Sequence, residues 1–295
     1  METQINEYKK KENQYKKELV KIYELRSITD FDTIYNFLKQ LSVQDDIPEM
    51  SISCAIGLSE KRDSDEYTPL LCACIEGDLH LTKSLIEGGC DKNAVDKHGN
   101  NCLLLASLYG HLEIVKYLIR VGFDKNWSKK SNQANAILCA SQEGHLDIVK
   151  YLKSIGCDVN SKQNDNANCT YLASLNGHLE TVKYLVSAGG DPDEKDSQGF
   201  SPIICASKYN HLDVVKYLIQ CGCNKNDKTN HNDSSLHFAA GNGHIDVLEY
   251  LVSIRVNLRQ KNNRGKTALD LAEEKQNDGK NYRSIINLLN RSGAK

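Results

Sequence analysis

From Thr68 onward, apolar and polar positions recur with a period of about 33 residues. One phrase carries the signal: His111-Leu-Glu-Ile-Val-Lys-Tyr-Leu118, His145-Leu-Asp-Ile-Val-Lys-Tyr-Leu152, His178-Leu-Glu-Thr-Val-Lys-Tyr-Leu185, His211-Leu-Asp-Val-Val-Lys-Tyr-Leu218 and His244-Ile-Asp-Val-Leu-Glu-Tyr-Leu251, with histidine spacings of 34, 33, 33 and 33 residues. A weaker copy begins at Asp78-Leu-His-Leu. Within the phrase, Leu112, Val115, Leu118 and Ile119 fall on one face of a helix, so each copy predicts a short amphipathic helix. Gly89, Gly122, Gly156, Gly189 and Gly222 stop these helices. The extra residue in the first spacing belongs to Trp127–Gln133, which is predicted to be a loop, because an insertion within a helix would rotate every later side chain off its face.

A second helix per period precedes the phrase. Thr68, Asn101, Asn135, Asn168, Ser201, Ser234 and Thr267 stand at its start, all able to accept a hydrogen bond from an orphan N–H of the first turn. Pro69 and Pro202 follow two of them, where proline is tolerated. Five residues after each cap stands an alanine: Ala73, Ala106, Ala140, Ala173, Ala206, Ala239 and Ala272. A small residue at one fixed place is what close stacking of neighbouring units requires. Gly77, Gly110, Gly144, Gly177 and Gly243, with Asn210 in the same slot, form the turn between the helices and suit positive φ.

Helix, turn, helix and polar excursion at this period resemble the ankyrin repeat. The match runs from about Thr68 to Leu289, with six full copies and a C-terminal partial one. The resemblance implies an all-α solenoid of stacked helix-turn-helix units with polar finger loops. The family's Thr-Pro-Leu-His opening survives only as Thr68-Pro-Leu-Leu71 and becomes Ser234-Ser-Leu-His237 or more divergent elsewhere, which places the hydrogen bonds at the finger base in question. Finger glycines are kept at Gly99, Gly199 and Gly265, replaced by Asn166 and Asn232, and not assignable in the inserted finger.

The expected division is residues 1–66 as an N-terminal helical cap or divergent first repeat, and 67–290 as the array. Ile5, Tyr8, Tyr15, Leu19 and Ile22 form a helical stripe that packs on the array or, in a second reading, pairs as a short coiled coil. Lys9-Lys10-Lys11 and Lys16-Lys17 interleave with Glu7, Glu12 and Glu18 and read as a solvated face. A helix from about Phe31 to Leu41, capped by Thr29, Asp30 or Asp32, is followed by a divergent repeat near Met50–Leu58. Asp45-Asp46-Ile47-Pro48 and 61–66 read as loops. The copy at 267–290 loses its Gly-His turn and reads as the C-terminal cap.

The 295 residues carry a net charge of −2, which favours neither nucleic acid nor an anionic membrane as partner. No stretch approaches about 20 apolar residues, so no membrane span is expected. Four prolines fit a helical chain. Eleven cysteines, an odd number, and an N-terminus lacking an apolar signal core point to reduced thiols in the cytoplasm or the nucleus. Cys72, Cys139 and Cys205 share one repeat position and Cys90, Cys157 and Cys223 another, the pattern of small buried hydrophobes. The five repeated histidines should lie about 10 Å from one another, the spacing of packed helices. That is too far to share a zinc ion with bonds of about 2.0–2.1 Å. Neither a phosphate loop nor a nucleophile elbow is present. No cofactor and no enzymatic activity are expected.

Positions that vary between copies are the candidates for binding. They are Lys97, His98, Asn100, Trp127, Lys129, Lys130 and Phe200 in the fingers, and Leu108, Tyr109, Gln142, Glu143, Asn176, Lys208 and Tyr209 near the end of the first helices. The resemblance implies that fingers and first-helix ends line a concave groove that grips another protein. The chain itself is expected to be a monomer. A regulatory inhibitor or adaptor of an enzyme would use the same groove. Self-association through the N-terminal helix is the structural alternative. The counterparts of Trp127 are Ala94, Ser161, Glu194, Asp227 and Gln260, which predicts a solvent-facing slot, the alternative being that the indole folds over its own inserted loop. On this reading, Trp127→Ala leaves the thermal midpoint nearly unchanged and weakens partner binding by more than about 1 kcal/mol. A large fall in the midpoint would place the indole in the core.

Overall fold

The computed structural model describes residues 2–44 and 47–294. Among them are seventeen α-helices, one 3-10 turn and three isolated β-bridges. The helices are α1 (Glu2–Leu25), α2 (Phe31–Val43), α3 (Ile47–Ala55), α4 (Pro69–Glu76), α5 (Leu79–Glu87), α6 (Cys102–Leu108), α7 (Leu112–Arg120), α8 (Ala136–Gln142), α9 (Leu146–Ser154), α10 (Cys169–Leu175), α11 (Leu179–Ser187), α12 (Pro202–Lys208), α13 (Leu212–Gln220), α14 (Ser235–Gly241), α15 (Ile245–Ser253), α16 (Ala268–Glu274) and α17 (Lys280–Arg291).

Two compact units result, Met1–Lys125 and Asn126–Lys295. In the second, five helical hairpins stack as in a solenoid: α8, α10, α12, α14 and α16 pack in sequence order, and α9, α11, α13, α15 and α17 form a second layer behind them. In the first, α4 packs on α6 and α5 on α7, while α2 and α3 pack on α5 and α1 on α3. The seven alanines of the first helices are fully buried, each 0% exposed. They let backbones approach where a larger side chain would hold them apart.

Local chemistry explains the boundaries. Thr68, Asn101, Asn135, Asn168 and Thr267 accept a side-chain hydrogen bond from the N–H three residues on. The other two expected caps depart from this. The Ser234 hydroxyl meets Nδ1 of His237 at 2.8 Å. The Ser201 hydroxyl is buried without a partner. The second helices close with a bond from the residue after the left-handed position back to the last buried leucine, as in Phe123 N–H to Leu118 O at 3.0 Å and Cys223 N–H to Leu218 O at 3.1 Å. Five copies use the expected glycine there, while the last places Arg255 at φ 58°.

At the N-terminus, Asp30 caps α2 through Thr33 N–H. Ile22 and Leu25 of α1 are buried, so the C-terminal end of the stripe packs inward, whereas Tyr15 is exposed. The side chains of Ile5, Tyr8, Glu7, Lys10 and Lys11 lie outside the described residues, as do Asp45 and Asp46. Ile47 and Pro48 are not loop but the first turn of α3, where proline's missing N–H leaves no helical bond unmade.

The stacking alanines generate a prediction. Ala206→Leu forces added methylenes between α12 and its neighbours α10 and α14, and is expected to lower unfolding free energy by about 1–3 kcal/mol, measured by urea titration. An unchanged midpoint would mean the layers do not pack through this position.

Candidate functional site

Each finger is shaped by a side-chain acceptor near its tip. Asp96 accepts from the N–H groups of His98 and Asn100 and from Asn100 Nδ2. Asp196, Thr229 and Asn262 do the same for their own loops. In the second unit neighbouring fingers are then joined edge to edge. Asn164 N–H donates to Asn132 O at 2.9 Å, Asn230 N–H to Gln198 O at 2.9 Å and Asn263 N–H to His231 O at 2.9 Å, each reinforced by the asparagine amide. In the inserted finger Gln133 fills the glycine slot at φ 61°. Lys129 N–H closes this loop onto Ala134 O at 2.8 Å, and Lys130 stands exposed at the tip.

The finger bases, in question from the sequence, are bonded by two different residues. His237 Nδ1 accepts from Ser234 N–H at 3.2 Å, and its Nε2 meets Lys266 O at 3.1 Å. Tyr171, in the equivalent slot, donates its hydroxyl to Asp196 at 3.0 Å. Where the slot is apolar, Leu71, Leu104, Leu138 and Ile204 are simply buried.

Among the candidate contact residues of the first unit, Lys97 and His98 are exposed and Lys97 pairs with Asp65. Asn100 and Leu108 are half-buried, and Tyr109 is 47% exposed. In the second unit, the structure turns some variable positions to structural use. Asn176 donates to Gln142 O at 2.9 Å, clamping one first helix to the next, and Gln142 reaches Glu143. Asn242 repeats the clamp on Lys208 O at 3.2 Å, and Lys275 on Gly241 O at 2.7 Å.

Phe200, Lys208 and Tyr209 come together, joined by Phe238, which the copy-to-copy comparison of loops and helix ends missed. The Phe200 and Phe238 rings lie 5.2 Å apart at 41°. Lys208 Nζ sits 4.9 Å from the centre of Phe200, 5.3 Å from Tyr209 and 5.7 Å from Phe238. Tyr209 is 50% exposed. A finger residue thus touches the end of α12 and the middle of α14, which places the cluster on the face that fingers and first helices share. Position 238 carried a legible signal: its counterparts Cys72, Leu105, Cys139, Leu172, Cys205 and Leu271 are all non-aromatic.

Trp127 lies outside this cluster, in the finger preceding α8, and its slot is only partly open to solvent. Trp127, Ser161, Glu194, Asp227 and Gln260 are half-buried and Ala94 is 3% exposed. The slot flanks the bridges Ser128↔Asn135, Lys162↔Asn168 and Lys228↔Ser234, so the finger's own stem covers one side of it. Part of any effect of Trp127→Ala is therefore loss of packing. Lys129 beside it is half-buried.

The repeated histidines tie one unit to the next. Nε2 of His111, His211 and His244 meets the carbonyls of Ile75, Leu175 and Lys208 at 2.8, 3.1 and 2.9 Å. Their rings also occupy the space beside the turn glycines: a Cβ at Gly77, Gly144 or Gly177 would fall within 2.6 Å of the ring of His111, His178 or His211. Among the described residues no three His, Cys, Asp or Glu side chains are placed to hold a metal ion. Most cysteines are buried, but Cys72 and Cys139 are half-buried and Cys221 is exposed. Burial pushes the thiols of Cys139, Cys169, Cys205 and Cys223 up to about 12, so they are protonated and unreactive at neutral pH.

Tyr117 is buried and Tyr151, Tyr184, Tyr217 and Tyr250 are half-buried along the second helices. Lys83, Lys150 and Lys216 of preceding copies lie over Tyr117, Tyr184 and Tyr250 at 5.7–5.9 Å. Glu113 and Glu180 pair with Lys116 and Lys183, both at 2.7 Å. Where the acid is the shorter Asp147 or Asp213, the lysine turns to the next copy's ring instead.

Two family models match. One, for ankyrin repeats in three copies, matches residues 36–129, 70–163 and 136–229. Another, for ankyrin repeats in many copies, matches 218–272. Together they span residues 36–272, most of the chain, which belongs to the ankyrin-repeat family. The first match takes in most of α2 and all of α3. Ankyrin repeats are protein–protein interaction modules. No curated protein matches the chain. Among the described residues, no helix is long and apolar enough to cross a membrane.

Burial lowers the pKa of His211 and of His237 below 6.5. Each is therefore held neutral in the fold at pH values where the unfolded chain takes up a proton. Their contribution to stability is complete above about pH 6.5 and falls as the pH drops from there toward the lowered values. Thermal midpoints are expected to decline between about pH 7 and 5, and His211→Asn with His237→Gln is expected to flatten that decline. A slope identical to wild type would exclude both groups as its source.

Proposed function

We propose that this chain is a non-catalytic scaffold that grips another protein, as a monomer in the cytoplasm or nucleus. Contact runs along the face shared by the fingers and the ends of the first helices. The observation that carries this reading is the half-open cluster of Phe200, Lys208, Tyr209 and Phe238. Large aromatic side chains with low conformational entropy and one exposed edge are the usual anchors of binding energy. Tyr109, also exposed at a first-helix end, supports the same use of that position in the first unit. Histidine, alanine and glycine positions are committed to stacking, whereas the aromatic positions recur in few copies and Tyr109 and Tyr209 stay exposed. The buried, protonated thiols suit a reducing compartment.

An inhibitor or adaptor of an enzyme would use the same surface, and recovery of an active enzyme or ligase would identify that role. Affinity capture with wild type, with Tyr209→Ala/Phe238→Ala and with Tyr109→Ala/Trp127→Ala/Tyr209→Ala tests the reading. Proteins held by wild type are expected to be lost from both variants while each variant stays folded by circular dichroism. Recovery of the same proteins in the same amounts would move the contact surface elsewhere.

A further inference from the structure

The aromatic cluster holds a cation that the chain leaves without a counter-charge. Several lysines that bridge to a neighbouring finger or helix face a carboxylate, Lys39 with Glu76, Lys97 with Asp65, Lys162 with Glu194, Lys195 with Asp227 and Lys266 with Glu274. Lys225 and Lys275 reach the carbonyls of Ile254 and Gly241, and Lys83, Lys150 and Lys216 each lie over one tyrosine of the next copy. Lys208 is different. It is half-buried, its ammonium lies over three rings, and among the described residues it pairs with no acid. Ring faces attract the charge but offer no lone pair of the strength a carboxylate does, so the three ammonium N–H donors still want an acceptor. The main chain beneath is pinned, since Lys208 O takes bonds from both Asn242 Nδ2 and His244 Nε2. The three ring faces around the ammonium favour its position over the cluster, which lowers the side-chain freedom to be lost on binding.

Beside the cluster lies a cleft of about 300 Å³, with Phe238 and Leu271 as its apolar wall. Of its two acids, Glu274 pairs with Lys266, while Asp233 accepts from Asn262 Nδ2 at 2.7 Å and keeps its charge. Arg264 stands exposed at the rim, and Lys275 is bound to a carbonyl. The cations nearest the cluster thus exceed the acids free to answer them.

We propose that this face recognises a peptide segment carrying an acidic side chain next to an apolar one, with the carboxylate on Lys208 Nζ and the apolar group against Phe238 and Leu271. The inference rests on the reading of this surface as the contact site and names its chemistry. A partner offering a cation to the rings would have to displace Lys208, which already fills that position.

The test is selection of a random peptide library displayed on phage against the full chain, followed by fluorescence anisotropy with the most enriched peptide made synthetically. Enriched peptides are expected to carry Asp or Glu beside an aromatic or aliphatic residue. Affinity is expected to fall about tenfold or more on Lys208→Met, and equally on Glu→Gln or Asp→Asn in the peptide, with Lys208→Arg retaining most of it. Added salt should weaken the wild-type complex and not that of Lys208→Met. Neutral or basic peptides, no enrichment, or indifference to Lys208→Met would overturn the proposal. Should that happen while captured proteins still depend on Tyr209 and Phe238, only the acidic chemistry falls. If capture is also unaffected, the surface falls with it.

Discussion

No unit of this chain can bury its own apolar side, and stacking is the constraint from which the rest follows. The first helices from α6 onward have seven residues and the second helices mostly nine, shorter than the length at which an isolated helix holds together in water. Each gains stability from the next unit. That demand explains why seven alanines sit fully buried at one register and why turn glycines leave room for a histidine ring from the following copy. It also explains why the hydrogen bonds that matter run between units: histidine to carbonyl, asparagine clamp to carbonyl, and finger to finger.

Stacking also decides what is left over. A position that repeats is committed to the neighbour on either side. A position that varies is available, but availability is not the same as being free. Asn176 and Asn242 vary from their counterparts and still serve as clamps between first helices. Phe200, Lys208, Tyr209 and Phe238 vary and clamp no backbone through their side chains. The distinction between these two groups is where a structural module becomes a recognition surface. It rests on whether a side chain reaches a carbonyl of the preceding unit or turns outward.

The outer layer shows the same economy. The lysine of the recurring phrase has two uses, pairing with a glutamate on its own helix or covering the tyrosine of the next copy. A glutamate one turn earlier takes the lysine, whereas behind Asp147, Asp213 or His80 it covers the ring. Neither arrangement is chemistry in the catalytic sense. The second shields the tyrosines that fill the seam between second helices.

Period, helix caps, turn glycines, stacking alanines and the finger loops were legible in the sequence, because each is decided by residues within a few positions of one another. A cap needs its own N–H three residues on, and a left-handed turn needs its own backbone freedom. Tyr109 and Tyr209 were legible as exposed for a related reason, since both follow the stacking alanine at a fixed helical angle. The tertiary structure alone decided what depends on chain segments a full repeat apart. Phe238 meets Phe200 across a complete helical hairpin, the slot of Trp127 is half-closed by its finger stem, and Lys208 stays without an acid. Those facts depend on distances set by stacking, and no local run of residues encodes a distance to its neighbour one period away.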